Sequence, residues 1–243
     1  MAAKVPISVP DFQQALDAIY QKAISGMPQI EKPIPVLADE YLSRYGSIPK
    51  AADKLISAQL AKCATSSFLA GLGGVVTLPV TLPADICSVL YFQIRMIASV
   101  AYIGGYDICE DQVQTFIYVC LAGISVNSVV KSFGTKFGTK IATKAIERIP
   151  GKALTKINQK VAFRLITKFG EKGLINLGKM IPLVGGVIGG GFTLTETKII
   201  AARARKMFIV DDFALPEPLR KEESEALRED YIETEFLHDD FLE

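Results

Sequence analysis

Apolar residues recur at helical spacing along nearly the whole chain. Ser8, Pro10 and Asp11 form a helix-start signal, because a Ser side chain, a proline in the first turn and an early acid all suit free amides at a helix N-terminus. The pattern predicts a helix to about Ser25, ended by Gly26 and Pro28. A short amphipathic piece with Leu37, Tyr41 and Leu42 follows from about Val36 to Tyr45. Ser47 and Pro49 open a longer helix through KAADKLISAQLAKCATSSFLAG. GLGGVVTLPVTLPAD then breaks the periodicity, and Pro83 and Asp85 mark the first turn of the next helix, which ends at Gly104 and Gly105. Further helices are predicted over roughly Glu110 to Val130, over the two halves of a basic run split at Pro150 and Gly151, and from a glycine-punctuated segment through about Phe208. No alternating run with hairpin turns is present, so the fold class is all-α, with glycine-rich helix breaks and an acidic C-terminal tail. The predicted organisation is residues 1–46 as an N-terminal helical segment packing on the core, 47–210 as the helical core, and 211–243 as the tail.

Charge changes this picture more than length does. The chain has 243 residues and a formal net charge of +1, but the near-neutral total hides two opposed blocks. Lys131 to Lys179 holds 12 basic and 2 acidic residues, while Asp211 to Glu243 holds 13 acidic and 3 basic. From Lys136 a cation falls at every fourth position: Lys136, Lys140, Lys144, Arg148, Lys152, Lys156, Lys160, Arg164, Lys168 and Lys172. Against about 3.6 residues per turn such a ladder drifts about 40° per step. Phe133, Phe137, Ile141, Ala145 and Ile149 wind beside its first half. Leu154, Ile157, Val161, Leu165 and Phe169 wind beside the second. The expectation is two cationic amphipathic helices.

Hydropathy raises the membrane question, since 49% of residues are apolar and the mean hydropathy is +0.29. Three stretches lack charge: Cys63 to Ala84, Gln112 to Val130 and Met180 to Thr195. A spanning helix needs about 20 mostly apolar residues. Glycines and prolines interrupt the first stretch, polar residues the second, and the third is short. The helix after Asp85 carries Gln93 and Arg95 near its centre, and a central Arg costs about 2.5 to 3.5 kcal/mol on insertion. A compact helical domain that associates with a membrane surface is expected. The N-terminus has no apolar core of a signal peptide. Cys63, Cys87, Cys109 and Cys120 form no CxxC pair and read as reduced, mostly buried thiols of a cytoplasmic protein.

Three blocks together resemble the EcsC family: GLGGVVTLPVTLPADICSVLYFQIRMIASVAYIGGYD, INQKVAFRLITKFGEKGLINLGK and IPLVGGVIGGGF. The family pattern falls here on Gly71 to Gly74, Leu82 to Asp85, Arg95, Gly104 with Gly105, and Pro182 to Phe192. The resemblance spans roughly Ala64 to Phe208. Many relatives carry an Asp just after the last block, where this chain has Thr193. The resemblance implies a helical fold and a role at or near membranes, and no defined activity.

Little in the sequence points to catalysis. The glycines of PLVGGVIGGG are followed by no Lys, so they form no Walker loop, and no strand precedes them for a dinucleotide site. Gly185 with Gly189, and Gly186 with Gly190, repeat at helical spacing. They suit close helix packing, or a backbone that simply turns. Asp85, Gln93, Arg95, Asn127 and Glu196 are polar residues in apolar surroundings, readable as structural struts or as a polar pocket. Asp85 and Arg95 lie about 80° apart around one ideal helix, so each is expected to meet another element. The single histidine, His238, lies in the tail, so no Ser/His/Asp or Cys/His set is available. No catalytic, cofactor-binding or metal-ligating residue is expected, and no cofactor.

The ladder from Lys136 through Lys168 is therefore the candidate site. A basic amphipathic helix suits an anionic membrane surface or an acidic protein partner. Each cation near an anionic leaflet contributes about 1 kcal/mol, so half the ladder would give about 5 kcal/mol. The acidic tail can also lie on the basic helices of its own chain. Nucleic acid is disfavoured, because Phe133, Phe137 and Phe169 track the apolar side and offer bases no platform. The expected function is a non-enzymatic peripheral protein with an interaction or regulatory role, at the inner face of a membrane. The alternative is a soluble carrier holding a lipid or other apolar ligand between glycine-rich helices.

Overall fold

The computed structural model describes residues 8–27, 30–64, 84–124, 149–169 and 187–209. Seven helices make up this part: α1 (Val9–Ser25), α2 (Ile34–Tyr45), α3 (Ile48–Ala64), α4 (Ala84–Ile103), α5 (Asp111–Leu121), α6 (Gly151–Phe169) and α7 (Val187–Phe208). No strand occurs among the described residues, and the fold class is all-α.

α4 is the axis of the bundle, with α1, α2, α3, α5 and α7 all packed against it. Its window Ile86–Ile103 has a mean hydropathy of 1.6, long and apolar enough to cross a membrane, but 94% of it is buried inside the protein. Its apolar surface is thus covered by other helices. α6 packs on α5 and α1.

The ends of the elements follow local chemistry. Ser8 caps α1 by accepting from the Asp11 amide at 3.3 Å, and Gly26 stands at its C-terminus. One face of α1, with Phe12, Leu16, Ile19, Tyr20 and Ala23, is buried at three- and four-residue spacing. Tyr20 donates its hydroxyl to the Ile108 carbonyl at 2.5 Å, and Asp17 accepts from Gln114 and Tyr118 of α5 at 2.9 and 2.8 Å. α4 closes in a Schellman turn: Tyr106 donates to the Ala101 carbonyl at 3.1 Å around Gly105, whose φ is +86°. At Gly104 a Cβ would meet the Phe208 carbonyl oxygen, so the missing side chain lets the end of α7 seat on the end of α4.

One helix is shorter than its pattern predicts. α5 stops at Leu121 instead of running to Val130. Gly123 takes φ +66°, and Ile124 donates to the Val119 carbonyl at 3.1 Å in a second Schellman turn. The apolar pattern simply continued past this point and concealed the stop.

Candidate functional site: a cationic groove beside α6

α6 realises the second half of the ladder as an amphipathic helix. Leu154, Ile157, Val161 and Leu165 are buried, while Lys152, Lys156, Lys160 and Arg164 are exposed and Lys168 is half-buried. Lys136, Lys140, Lys144 and Arg148 lie outside the described residues, as do Asn127, Gly185 and Gly186. Gly189 and Gly190 lie within the first turn of α7, and Asp85 lies within the first turn of α4; their surroundings are outside the description.

The polar face of α6 carries a residue that the four-residue count passes over. Phe163 is 66% exposed. Seven residues beyond Lys156, it falls within about 20° of that lysine around the helix, between the rows of Lys152 and Lys156. Helical register would have found it, whereas a search for the apolar stripe would not.

Beside this face runs an open groove of about 930 Å³ between α6 and α7, floored by the end of α5 at Ala122, Gly123 and Ile124. Its cations are Lys160, Arg164 and Lys168 of α6 and Arg203 of α7. Glu196 of α7 is the acid among its described lining residues and makes an ion pair with Lys168. Arg164 donates through Nε to the Ala122 carbonyl at 2.8 Å, satisfying a group left open where α5 ends. The Arg203 guanidinium lies over Gly123, where a Cβ would sit 2.5 Å from one of its terminal nitrogens. Arg203 has no hydrogen bond or ion pair among the described residues. Burial and the charges of Arg203 and Arg164 push the Lys168 ammonium down to about 8. The Glu196 carboxylate in contact with it acts in the opposite sense. Ile199 of α7, 49% exposed, faces the groove together with Phe163.

The other predicted polar residues do not gather into one pocket. Arg95 is 2% exposed and reaches back to the α1–α2 connection. Its Nε meets Glu31 Oε2 at 2.9 Å, one terminal nitrogen donates to the Ala23 carbonyl at 2.7 Å, and the other donates to the Lys32 carbonyl. Tyr91 donates to Glu31 Oε2 at 2.9 Å, and Lys62 Nζ lies 3.6 Å from Oε1. Glu31 was not legible as a partner, since nothing about a lone acid between Pro28 and Pro33 announces an arginine 64 positions later. Gln93, fully buried, donates to Thr197 Oγ1 of α7 at 3.3 Å. Glu196 belongs to the groove. Cys87 and Cys120 are buried thiols outside any disulfide, and Cys109 is half-buried. Burial pushes Cys120 up to about 12, which keeps it an unreactive thiol.

Comparison with protein-family models, with curated proteins and with solved structures finds no match to this chain.

Proposed function

We propose that the protein is a non-enzymatic, peripheral membrane-associated helical protein that attaches to an anionic lipid surface through the outer face of α6. On this reading it works at the cytoplasmic face of a membrane, the kind of role that the EcsC resemblance implies. The observation that carries the reading is Phe163, exposed among Lys156, Lys160 and Arg164. An interfacial helix combines exposed apolar side chains with cations that meet headgroups, and here Phe163 stands beside a groove that Ile199 of α7 also lines with exposed apolar surface. One exposed ring does not make the series of platforms on which single-stranded nucleic acid stacks.

The acidic segment from Asp211 to Glu243 competes for the same cations within the chain, which gives the attachment a built-in restraint. Vesicle flotation tests both ideas. The wild-type chain is expected to float with anionic vesicles at low salt, not with neutral ones, and to be released at high salt. Replacing Lys156, Lys160 and Arg164 together by Gln removes about 3 kcal/mol, or about 10²-fold in partitioning. Deleting the chain from Pro216 onward is expected to strengthen binding. Flotation indifferent to both vesicle charge and the triple substitution would sink the membrane reading, and unchanged binding after the deletion would remove the restraint.

A further inference from the structure

The outer face of α6 explains diffuse attraction to a charged surface, but it leaves Arg203 and Ile199 unused. Both belong to α7, and both line the groove. The groove presents two chemistries side by side. At one place Arg164, Lys168 and Arg203 bring cations from two helices together over the end of α5, against Glu196 alone among the described lining residues. Beside them Phe163 and Ile199 expose apolar surface on opposite walls. A free inorganic anion would use only the first of these. A purely apolar ligand would leave the arginines facing it without a partner.

We propose that this groove is a binding site for one molecule of an anionic phospholipid. Its phosphate is held by Arg203, Arg164 and Lys168, and the start of an acyl chain lies against Phe163 and Ile199. This rests on the membrane reading of α6 and adds to it a discrete, saturable site. Arg203 is the residue best placed for the task. Its guanidinium lies over the turn at Gly123, and it carries donors with no acceptor among the described residues, in the fixed planar fork that matches a phosphate. Lys168 pairs with Glu196 and turns to the phosphate when it arrives.

The test uses the full chain and dihexanoyl phosphatidate, a short-chain anionic lipid, below its micelle concentration, followed by titration calorimetry. Saturable one-to-one binding is expected, with weaker binding of inorganic phosphate and of dihexanoyl phosphatidylcholine. Arg203→Gln is expected to lower the affinity about tenfold or more, the loss of a charge-assisted contact. Vesicle flotation, which engages the whole outer face of α6, should fall less in this variant than in the Lys156, Lys160 and Arg164 triple variant. Circular dichroism and the thermal midpoint check that Arg203→Gln folds, and Arg203→Lys should recover part of the affinity.

Flotation without saturable binding of the short-chain lipid would overturn the groove site and leave the membrane reading standing. Absence of both would remove both. Equal binding of inorganic phosphate would make the groove an anion site and overturn the lipid assignment. Arg203-dependent binding of a peptide spanning residues 216–243 that the lipid cannot displace would also overturn it, reassigning the groove to the tail.

Discussion

Arg95 and Arg164 both donate to a carbonyl in the last turn or cap of a neighbouring helix, Ala23 of α1 and Ala122 of α5, yet their surroundings are opposite. Arg95 is sealed in the core, and each of its three guanidinium nitrogens meets an acceptor at the end of α1 or in the α1–α2 connection. Arg164 is exposed, uses Nε alone among the described contacts, and shares its groove with Arg203 and Lys168. A buried charge must be matched completely or the fold fails, so its partners are committed to structure. A charge at the rim is left with unspent donors, and those can meet a ligand. The same residue type thus marks architecture in one place and recognition in the other.

The largest expected effect comes from breaking the sealed side. Arg95→Met leaves Glu31 buried without its main partner and should cost about 3 to 5 kcal/mol in urea unfolding. The double variant Arg95→Met with Glu31→Leu should recover most of that loss, because a matched apolar pair carries no stranded charge. Arg164→Met should cost about 1 kcal/mol. Equal losses at Arg95 and Arg164 would erase the contrast between them.

Gly104→Ala comes next, at about 1 to 3 kcal/mol, since its methyl would collide with the Phe208 carbonyl and unseat the end of α7. A thermal midpoint unchanged from wild type would show that α7 tolerates a shift there.

The smallest effect concerns pH. Lys168 titrates at about 8 in the fold, below an unfolded value of about 10.4. Between those values the unfolded chain binds more protons, so this group makes stability rise with pH across that window. Binding of anions moves the other way: as pH rises from 7 to 9 the groove loses one positive charge, leaving Arg164 and Lys160 of α6 and Arg203 of α7 against Glu196. Vesicle binding should weaken over this range in the wild type and hold in Lys168→Arg. An equal decline in both would assign the pH response elsewhere.

Much of this was legible in the chain because local chemistry decided it. Ser8 and Asp11 start α1, Gly26 ends it, Gly104 with Gly105 ends α4, and the buried stripe of α6 follows Leu154, Ile157, Val161 and Leu165. What escaped was set by contacts across the fold. α5 ends at Leu121 where Arg164 takes up the Ala122 carbonyl and Arg203 covers Gly123, and neither arginine is near in sequence. Glu31 became a core residue only through Arg95. Phe163 was legible from helical register but escaped a search for repeating classes, since it breaks the cationic face that surrounds it.

The Glu31–Arg95 pair also has a consequence for the order of synthesis. The acid is made first, and its guanidinium partner follows 64 residues later. Until then a nascent α1–α2 unit that closes around Glu31 gives the acid only the longer contact to Lys62 and not its pairing with Arg95. The N-terminal helices therefore wait for α4, and the protein is expected to acquire its native N-terminal packing late in translation. A ribosome-bound chain stalled before Arg95 emerges should stay open to protease across residues 26–33, and one stalled well beyond it should not. Protection of the shorter chain would show that the N-terminal helices settle without the arginine.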